Sequence, residues 1–218
     1  MIVSLNLEKL KNYTESLLTI FFSDDQCLIA PKDISDAFLK LENCFNHINR
    51  KYYRTEFNET VFDHLNADHF CSFLYFLSNT IWSNEGDEVL CNKLFYLNKI
   101  MHGLDLYYKV NLPEVFLFIH PVGSVIGNAS FENYSVFYQN VTIGSDGDAY
   151  PKFNNGTVFF SKSSVIGNCS VGENVVFGAN AFILNTDIPE QCSVVGSFPN
   201  HKILSSQKKV QVEYFGQE

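Results

Sequence analysis

Basic side chains are scarce in this sequence. Fifteen lysines and arginines face 24 acidic residues, the formal net charge at pH 7 is −9, and no basic cluster exceeds the pair Lys208–Lys209. Nucleic acids and anionic membranes are bound through a positively charged protein face. The composition therefore argues against nucleic acid and against a membrane surface as partners.

Long apolar runs and paired cysteine motifs are also lacking. The longest apolar runs, such as VFLFI at 115–119, fall far short of the roughly 20 residues that a membrane-spanning helix needs. The N-terminal stretch MIVSLNLEKLK has no basic flank followed by an apolar core, so it predicts no secretory signal. The six cysteines form no CxxC motif. These features predict a cytoplasmic protein whose cysteines serve as small apolar side chains.

The first 103 residues have the pattern of a helical domain. Apolar residues recur at spacings of three and four in the stretches 5–22, 31–50, 68–82 and 86–103. This period predicts four amphipathic helices, packed as a bundle or a lid. Pro31, Asp68 and Asp87 stand at expected helix starts, and Gly103 stands at an expected helix end.

From residue 104 the period of the large apolar residues changes to six. These residues are Ile119, Val125, Phe131, Phe137, Ile143, Phe153, Phe159, Val165, Val171, Phe177 and Ile183. The fifth position of each hexad is small or β-branched. A period of six fits a triangular parallel β-helix, in which each wall uses six residues and three walls make a coil. We therefore predict an α + β protein with a helical domain (1–103), a β-helix (104–204) and a tail (205–218).

The predicted repeat is interrupted at two places. Before Ile119 the frame slips by one, because Leu106, Leu112 and Phe118 share the preceding register. The step from Ile143 to Phe153 is longer than one hexad, and it contains the turn-rich segment GSDGDAYPKF. We expect this segment to leave the wall as a protruding loop.

His120 follows an apolar run and precedes Pro121, beside the frame slip. It is either a turn residue bonded to the backbone or a catalytic base. A zinc site would need more partners than the distant His201, and no serine stands in a GxSxG elbow. A general base needs a carboxylate to fix its tautomer, and Asp105 lies about one coil upstream. The alternative for Asp105 is a cap after Gly103.

Several short motifs resemble those of the hexapeptide-repeat acyltransferases, which have a left-handed β-helix, and most closely those of bacterial serine O-acetyltransferases. The likeness covers about residues 104–204. The similar segments are DLYY (105–108), HPVG (120–123), YQNVTIGS (138–145), AYPK (149–152) and GSFPNHK (196–202).

The resemblance implies an enzyme that uses acetyl-CoA and no metal. It implies that His120 is the general base and that Asp105 orients it. It also implies a homotrimer with acetyl-CoA bound along the β-helix between adjacent subunits. By resemblance, the CoA-binding residues are Gly144, Ser145, Ser163, Gly178, Ala179 and, at a CoA phosphate, Lys202.

Two departures from the serine acetyltransferase pattern affect the predicted acceptor. Those enzymes have an aspartate before the histidine and an Arg-His pair before the loop's Pro-Lys, whereas this chain has Ile119 and the pair Ala149-Tyr150. Losing both ion-pair partners for a zwitterion costs several kcal/mol of recognition. Tyr107 and Tyr150 offer aromatic faces and hydroxyls that suit a sugar, although they could equally pack the junction between the halves.

The chain also resembles the polysaccharide O-acetyltransferases, which share this fold and modify sugars of bacterial surface polysaccharides. That resemblance implies an O-acetyltransferase that modifies a sugar hydroxyl, in capsule or O-antigen polysaccharide synthesis. The alternatives are a serine O-acetyltransferase, an amino-sugar N-acetyltransferase, and a non-catalytic trimeric β-helix scaffold.

Overall fold

The protein consists of a helical first half followed by a parallel β-helix of about five turns. The computed structural model describes residues 1–24, 28–207 and 209–216. This architecture confirms the predicted α + β class, with helices preceding a left-handed β-helix.

Four helices make up the first half, close to the predicted stretches. They are α1 (Leu7–Phe21), α2 (Pro31–His47), α3 (Ala67–Ser83) and α4 (Glu88–His102). The side chains of Asn6, Asn66 and Asp87 cap the N-termini of α1, α3 and α4, whereas α2 begins at Pro31. The αL conformation of Gly103 ends α4, as expected. The expectation that Asp68 caps α3 is wrong, because Asn66 accepts the N–H groups of Asp68 and His69.

The helical domain packs tightly against the first coil of the β-helix. Helix α3 is buried on nearly all sides, between α2 and α4. The Tyr75 hydroxyl donates to the carbonyl of Val110 and accepts the N–H of Leu112. The Cys44 thiol donates to the carbonyl of Phe116. The helices are therefore fixed to the β-helix by buried polar contacts as well as by apolar packing.

A short parallel pair, β1 (Ile2–Val3) and β2 (Val61–Phe62), and a 3₁₀ turn (Lys51–Tyr53) complete the helical half.

Three walls of short parallel strands form the β-helix. Wall 1 contains β4 (Phe116–Phe118), β7 (Ser135–Phe137), β10 (Thr157–Phe159), β13 (Val175–Phe177) and β15 (Cys192–Val195), with β16 (Lys202–Ser205) added antiparallel. Wall 2 contains β3 (Asp105–Leu106), β5 (Val125–Ile126), β8 (Thr142–Gly144), β11 (Ser164–Ile166) and β14 (Phe182–Leu184). Wall 3 contains β6 (Ser130–Phe131), β9 (Lys152–Phe153) and β12 (Ser170–Val171).

A column of phenylalanines fills the interior behind wall 1. Phe118, Phe137, Phe159 and Phe177 lie in register on successive coils and are fully buried. The ring centroids of Phe137 and Phe159 are 5.2 Å apart, and those of Phe159 and Phe177 are 5.4 Å apart. Offset stacking at this spacing is favourable for aromatic rings. From Phe131 onward, the large residue of each hexad therefore faces inward, as the period of six predicts.

The predicted frame is wrong in the first coil. Val125 is 44% exposed and Ile126 is the buried residue, and Phe118 rather than Ile119 fills the interior. The corner after β4 is wider than the later corners, because eight positions separate the inward-facing Phe118 and Ile126, whereas six separate Phe137 and Ile143 on the next coil. This corner contains two left-handed residues, His120 (φ +50°) and Gly123 (φ +75°). The frame therefore shifts forward by two residues between Phe118 and Ile126, and back by one between Ile126 and Phe131.

The segment between β8 and β9 leaves the wall, as expected. Asp146 and Ala149 form an antiparallel bridge, and the Asn185 amide donates to Asp146 Oδ2 at 2.6 Å. Beyond β16, helix α5 (Val210–Phe215) folds back onto the helical half, where the guanidinium of Arg50 lies 4.2 Å from the ring centroid of Tyr214.

No described helix is both long enough and apolar enough to cross a bilayer. Every described cysteine has a free, buried thiol, and these residues are Cys44, Cys71, Cys91, Cys169 and Cys192. Cys27 lies outside the described residues.

Candidate active site

His120 projects from the corner between walls 1 and 2 in the first coil. Its imidazole is 79% exposed. Its backbone has a positive φ of 50°, a region that a residue with a side chain occupies at a cost of about 1–3 kcal/mol. The corner segment lies against the end of α4, where the Gly123 N–H donates to the carbonyl of Gly103. The imidazole of His120 is therefore accessible to solvent, and the strained turn that carries it is held in place by contact with the end of α4.

The carboxylate next to His120 belongs to Asp68, in the first turn of α3. The backbone N–H of His120 donates to both carboxylate oxygens of Asp68 at 3.1 Å. Asp68 Oδ2 also lies 3.6 Å from Nδ1 of the imidazole. The side chain of Asp68 is only 15% exposed. A largely buried carboxylate from the helical domain thus faces both the backbone and the ring of His120.

Two opposing effects act on the pKa of Asp68. Burial raises it, and the His120 N–H and the charge on the His120 ring oppose that rise. The first turn of a helix also favours negative charge, because unpaired N–H groups point toward it. The site therefore keeps an acidic group in a poorly solvated position.

Asp105, the residue predicted to orient His120, contacts a lysine in the structure. Asp105 Oδ2 accepts a hydrogen bond from Lys99 Nζ at 2.6 Å, and this ion pair joins the start of β3 to the last turn of α4. In the described part of the chain, Asp105 and His120 share neither a hydrogen bond nor an ion pair. The physical reason is local: Lys99, six residues upstream, reaches the carboxylate across the cap at Gly103.

Two buried histidines lie close to this centre and are neutral. Burial lowers the pKa of His69 to about 4 and that of His102 to about 4. His69 Nδ1 accepts the N–H of Asp63, and its Nε2 has no partner among the described residues. His102 Nδ1 contacts Asn98 Oδ1 at 2.7 Å. These rings are parts of the helical core, whereas His120 faces solvent.

One of the expected CoA-binding residues is excluded by its position. Ser163 is fully buried at the corner between walls 1 and 2, so it cannot line an outer groove. The small residue of the hexad fits this tight corner, which is why Ala181 occupies the same place one coil later.

The other expected CoA-binding residues reach the surface. Gly144 and Ser145 are half-buried at the end of β8, Gly178 and the exposed Ala179 lie on the corner after β13, and Lys202 is exposed in β16. A Cβ atom on Gly178 would lie 3.2 Å from the carbonyl oxygen of Val194, so the neighbouring coil approaches closely there. These positions are spread over several coils of one protomer.

The two tyrosines expected at the acceptor site both follow strands of wall 2. The Tyr107 hydroxyl donates to Tyr108 at 2.9 Å, and Tyr108 donates to Glu88 at 3.0 Å, so this ring is tied to the start of α4. Tyr150 is half-buried in the loop after β8. His120 precedes the wall-2 strand of its coil and Tyr150 follows one, so the width of wall 2 separates them within one protomer.

Asp68 is the residue that sequence reasoning missed. Its position at the start of an amphipathic stretch indicated a cap, and only the folded chain brings it to a residue of the β-helix. Metal ligation has no support in the described ranges, where no three histidine, cysteine or acidic side chains converge.

The likeness to known proteins centres on one enzyme family. No protein-family model matches the chain. Over 127 residues the chain is 32% identical to the serine acetyltransferase of Synechococcus elongatus, a match that covers 56% of this chain and 51% of the relative. The chain spans about half the length of the curated relatives it matches.

Solved structures extend the likeness in fold to most of the chain. A serine acetyltransferase in complex with CoA shares 20% identity and a TM-score of 0.62, over 91% of this chain and 95% of that one. The Neisseria gonorrhoeae serine acetyltransferase in complex with serine shares 18% identity and a TM-score of 0.65, over 80% and 72%. At these identities the structures show the fold alone. In its matched sequence and in its fold, the chain therefore resembles the serine acetyltransferases among the hexapeptide-repeat acyltransferases.

Proposed function

We propose that the protein is an acetyl-CoA-dependent O-acetyltransferase in which His120 is the general base. The observation that carries this proposal is the exposed imidazole of His120 on a hexapeptide-repeat β-helix, backed by the largely buried carboxylate of Asp68 from α3. The sequence similarity to a serine acetyltransferase over the same half supports it.

The chemistry follows from which ring nitrogen is free. With Nδ1–H directed toward Asp68, the lone pair of Nε2 faces solvent. Nε2 takes the proton of the acceptor hydroxyl as its oxygen attacks the thioester carbonyl of acetyl-CoA. The carbon–sulfur bond then breaks, and the imidazolium returns the proton to the departing thiolate. No covalent intermediate on the protein is needed.

Exposed positions on the coils support an acetyl-CoA site beside this base. Gly178 and Ala179 carry little or no side chain at a corner of the β-helix, which lets a thin pantetheine arm approach the backbone. Lys202 offers a positive charge to a CoA phosphate. Ser163 has no part in this site because it is buried.

Serine is the first candidate acceptor. The similar proteins are serine acetyltransferases, and one of the similar structures holds serine. A sugar hydroxyl is the second candidate, and a specific observation favours it. Ile119 and Ala149 stand where the resemblance places the charged groups that hold a zwitterion. The predicted role in polysaccharide synthesis rests on these two positions, on the rings of Tyr107 and Tyr150, and on the resemblance to polysaccharide O-acetyltransferases.

A thiol-release assay separates the candidates. The protein is incubated with acetyl-CoA and, separately, with serine, a panel of neutral sugars and an amino sugar. Turnover with serine supports the first candidate, and turnover with a sugar alone supports the second. Loss of thiol release with every acceptor, together with no acetyl-CoA binding in calorimetry, supports a non-catalytic scaffold and contradicts the proposal.

The assembly that we propose is a homotrimer. Val122 and Val125 lie near His120 in sequence with exposed side chains, and exposed apolar side chains of this kind suit contact with a second copy. Light scattering of the purified protein measures the mass, and Val125→Asp should shift a trimer toward monomer. A monomeric mass for the unmodified chain contradicts this assembly. The buried free thiols support a reducing, cytoplasmic location.

A further inference from the structure

We infer that Asp68 is the positioning residue of the reaction, so that the helical domain supplies the carboxylate that orients His120. This inference rests on the proposed function, because it assigns a role within the same site. It moves that role from Asp105, on the β-helix, to a helix of the other half.

Asp68 contacts His120 in two ways, and each contact has a separate consequence. The bifurcated hydrogen bond to the His120 N–H holds the left-handed corner, which is otherwise strained. The 3.6 Å approach of Oδ2 to Nδ1 places the negative charge on the side of the ring away from solvent. A movement of about half an ångström brings these atoms to hydrogen-bond distance. The arrangement therefore favours the Nδ1–H tautomer, with Nε2 free to accept a proton.

The charge balance also distinguishes the two aspartates. Asp105 is neutralised by Lys99, and both side chains of that pair are partly exposed. Asp68 is more buried, and no lysine or arginine in the described ranges forms an ion pair with it. An unpaired buried carboxylate is costly to keep, and such groups cluster at functional sites. Asp68 is therefore placed to stabilise the imidazole of His120 as that ring gains positive charge in the transition state.

The other described ionisable groups near Asp68 and His120 are not suited to orienting the His120 ring. His69 follows Asp68 on α3 and His102 ends α4, and burial keeps both neutral near pH 7. The hydroxyl of Tyr53 is buried close to Asp68, and burial raises the pKa of this tyrosine. Lys99 forms an ion pair with Asp105. Among these described groups, His120 is the one whose ring faces the Asp68 carboxylate, at 3.6 Å between Nδ1 and Oδ2.

The first test is kinetic. Asp68→Asn keeps the size of the side chain and an oxygen that can accept the His120 N–H, but it removes the charge. We expect it to lower kcat at least about tenfold with a smaller effect on the KM for acetyl-CoA, since the lost interaction strengthens in the transition state. Asp87→Asn, in the N-cap of α4, is the matched control and should keep the parent kcat, because asparagine caps a helix equally well.

The second test reads the ring directly and does not depend on activity. The ¹⁵N chemical shifts of the His120 ring, measured where the imidazole is neutral, report which nitrogen carries the proton. We expect mainly Nδ1–H in the parent protein and a shift toward Nε2–H in Asp68→Asn. Asp68→Ala, which also removes the acceptor, should shift the population at least as far.

Specific results would overturn the inference. If Asp68→Asn keeps both the parent kcat and the parent tautomer, then Asp68 is only a backbone anchor. If Asp105→Asn rather than Asp68→Asn changes the tautomer, the role belongs to Asp105. The failure of the proposed function looks different: His120→Ala would then release thiol as fast as the parent, whatever the tautomer measurements show.

Discussion

The backbone N–H of His120 lies 3.1 Å from each carboxylate oxygen of Asp68, across the boundary between the β-helix and helix α3. Burial raises the pKa of Asp68, so the folded protein holds a proton there more tightly than the unfolded chain does. This difference makes the folded state less stable above the raised pKa than it would be with a neutral group. The carboxylate of Asp68 is thus kept at some expense of stability.

We predict that Asp68→Asn leaves the free energy of unfolding at pH 7 within about 1 kcal/mol of the parent value. The amide loses a charge-assisted hydrogen bond, but it no longer places a charge in a buried position. Urea denaturation at pH 7 measures the difference. A loss of more than about 3 kcal/mol would show that Asp68 is chiefly a structural ion.

A second prediction concerns acid stability. His69 and His102 have pKa values of about 4 in the folded protein, because burial disfavours their charged forms. An unfolded histidine titrates near 6.5, so the stability from these neutral rings is fully present above about pH 6.5. It is lost as the pH falls toward 4, and on the order of a few kcal/mol depends on each ring.

Urea denaturation between pH 7 and pH 4 measures this dependence. We expect the free energy of unfolding to fall steadily with pH in the parent protein. His69→Phe should flatten the curve, because the replacement does not titrate. An unchanged slope in that variant would mean that the ring of His69 accepts a proton without unfolding.

A third prediction tests the interior column of the β-helix. Phe159 is fully buried, and its ring centroid lies 5.2 Å from that of Phe137 and 5.4 Å from that of Phe177. Phe159→Ala should lower the free energy of unfolding by about 3–5 kcal/mol, since a large cavity remains. Phe57→Ala, at a ring that is 79% exposed, is the control and should change it by less than about 0.5 kcal/mol. A loss below about 1 kcal/mol for Phe159→Ala would contradict the described packing.

Much of the fold is predictable from the sequence because its periods are unambiguous. A large residue at every sixth position is explained by a β-helix with six residues in each wall. Phe137, Phe159 and Phe177 do lie stacked on successive coils. The frame failed only where two neighbouring apolar residues competed. Val125 and Ile126 are both suitable for an interior, and the two extra residues in the corner that contains His120 decide between them.

The site was less predictable because it depends on contacts between distant segments. The spacing of Asp105 and His120 matches roughly one coil, but it carries no information about Lys99, which binds the carboxylate of Asp105. Asp68 lies 52 positions from His120, and nothing in its local sequence distinguishes it from a helix cap. Ser163 shows the same difficulty, since a small residue suits a tight corner as well as a ligand groove.

The most direct test of the proposed activity is the rate of thiol release from acetyl-CoA by the parent protein and by His120→Ala, at a saturating concentration of the acceptor found in the panel. Removing a general base should lower kcat by about 10²–10⁴-fold, while circular dichroism shows an unchanged fold, because the side chain of His120 is exposed. Equal rates for the two proteins would contradict the account, since His120 would then take no part in the transfer.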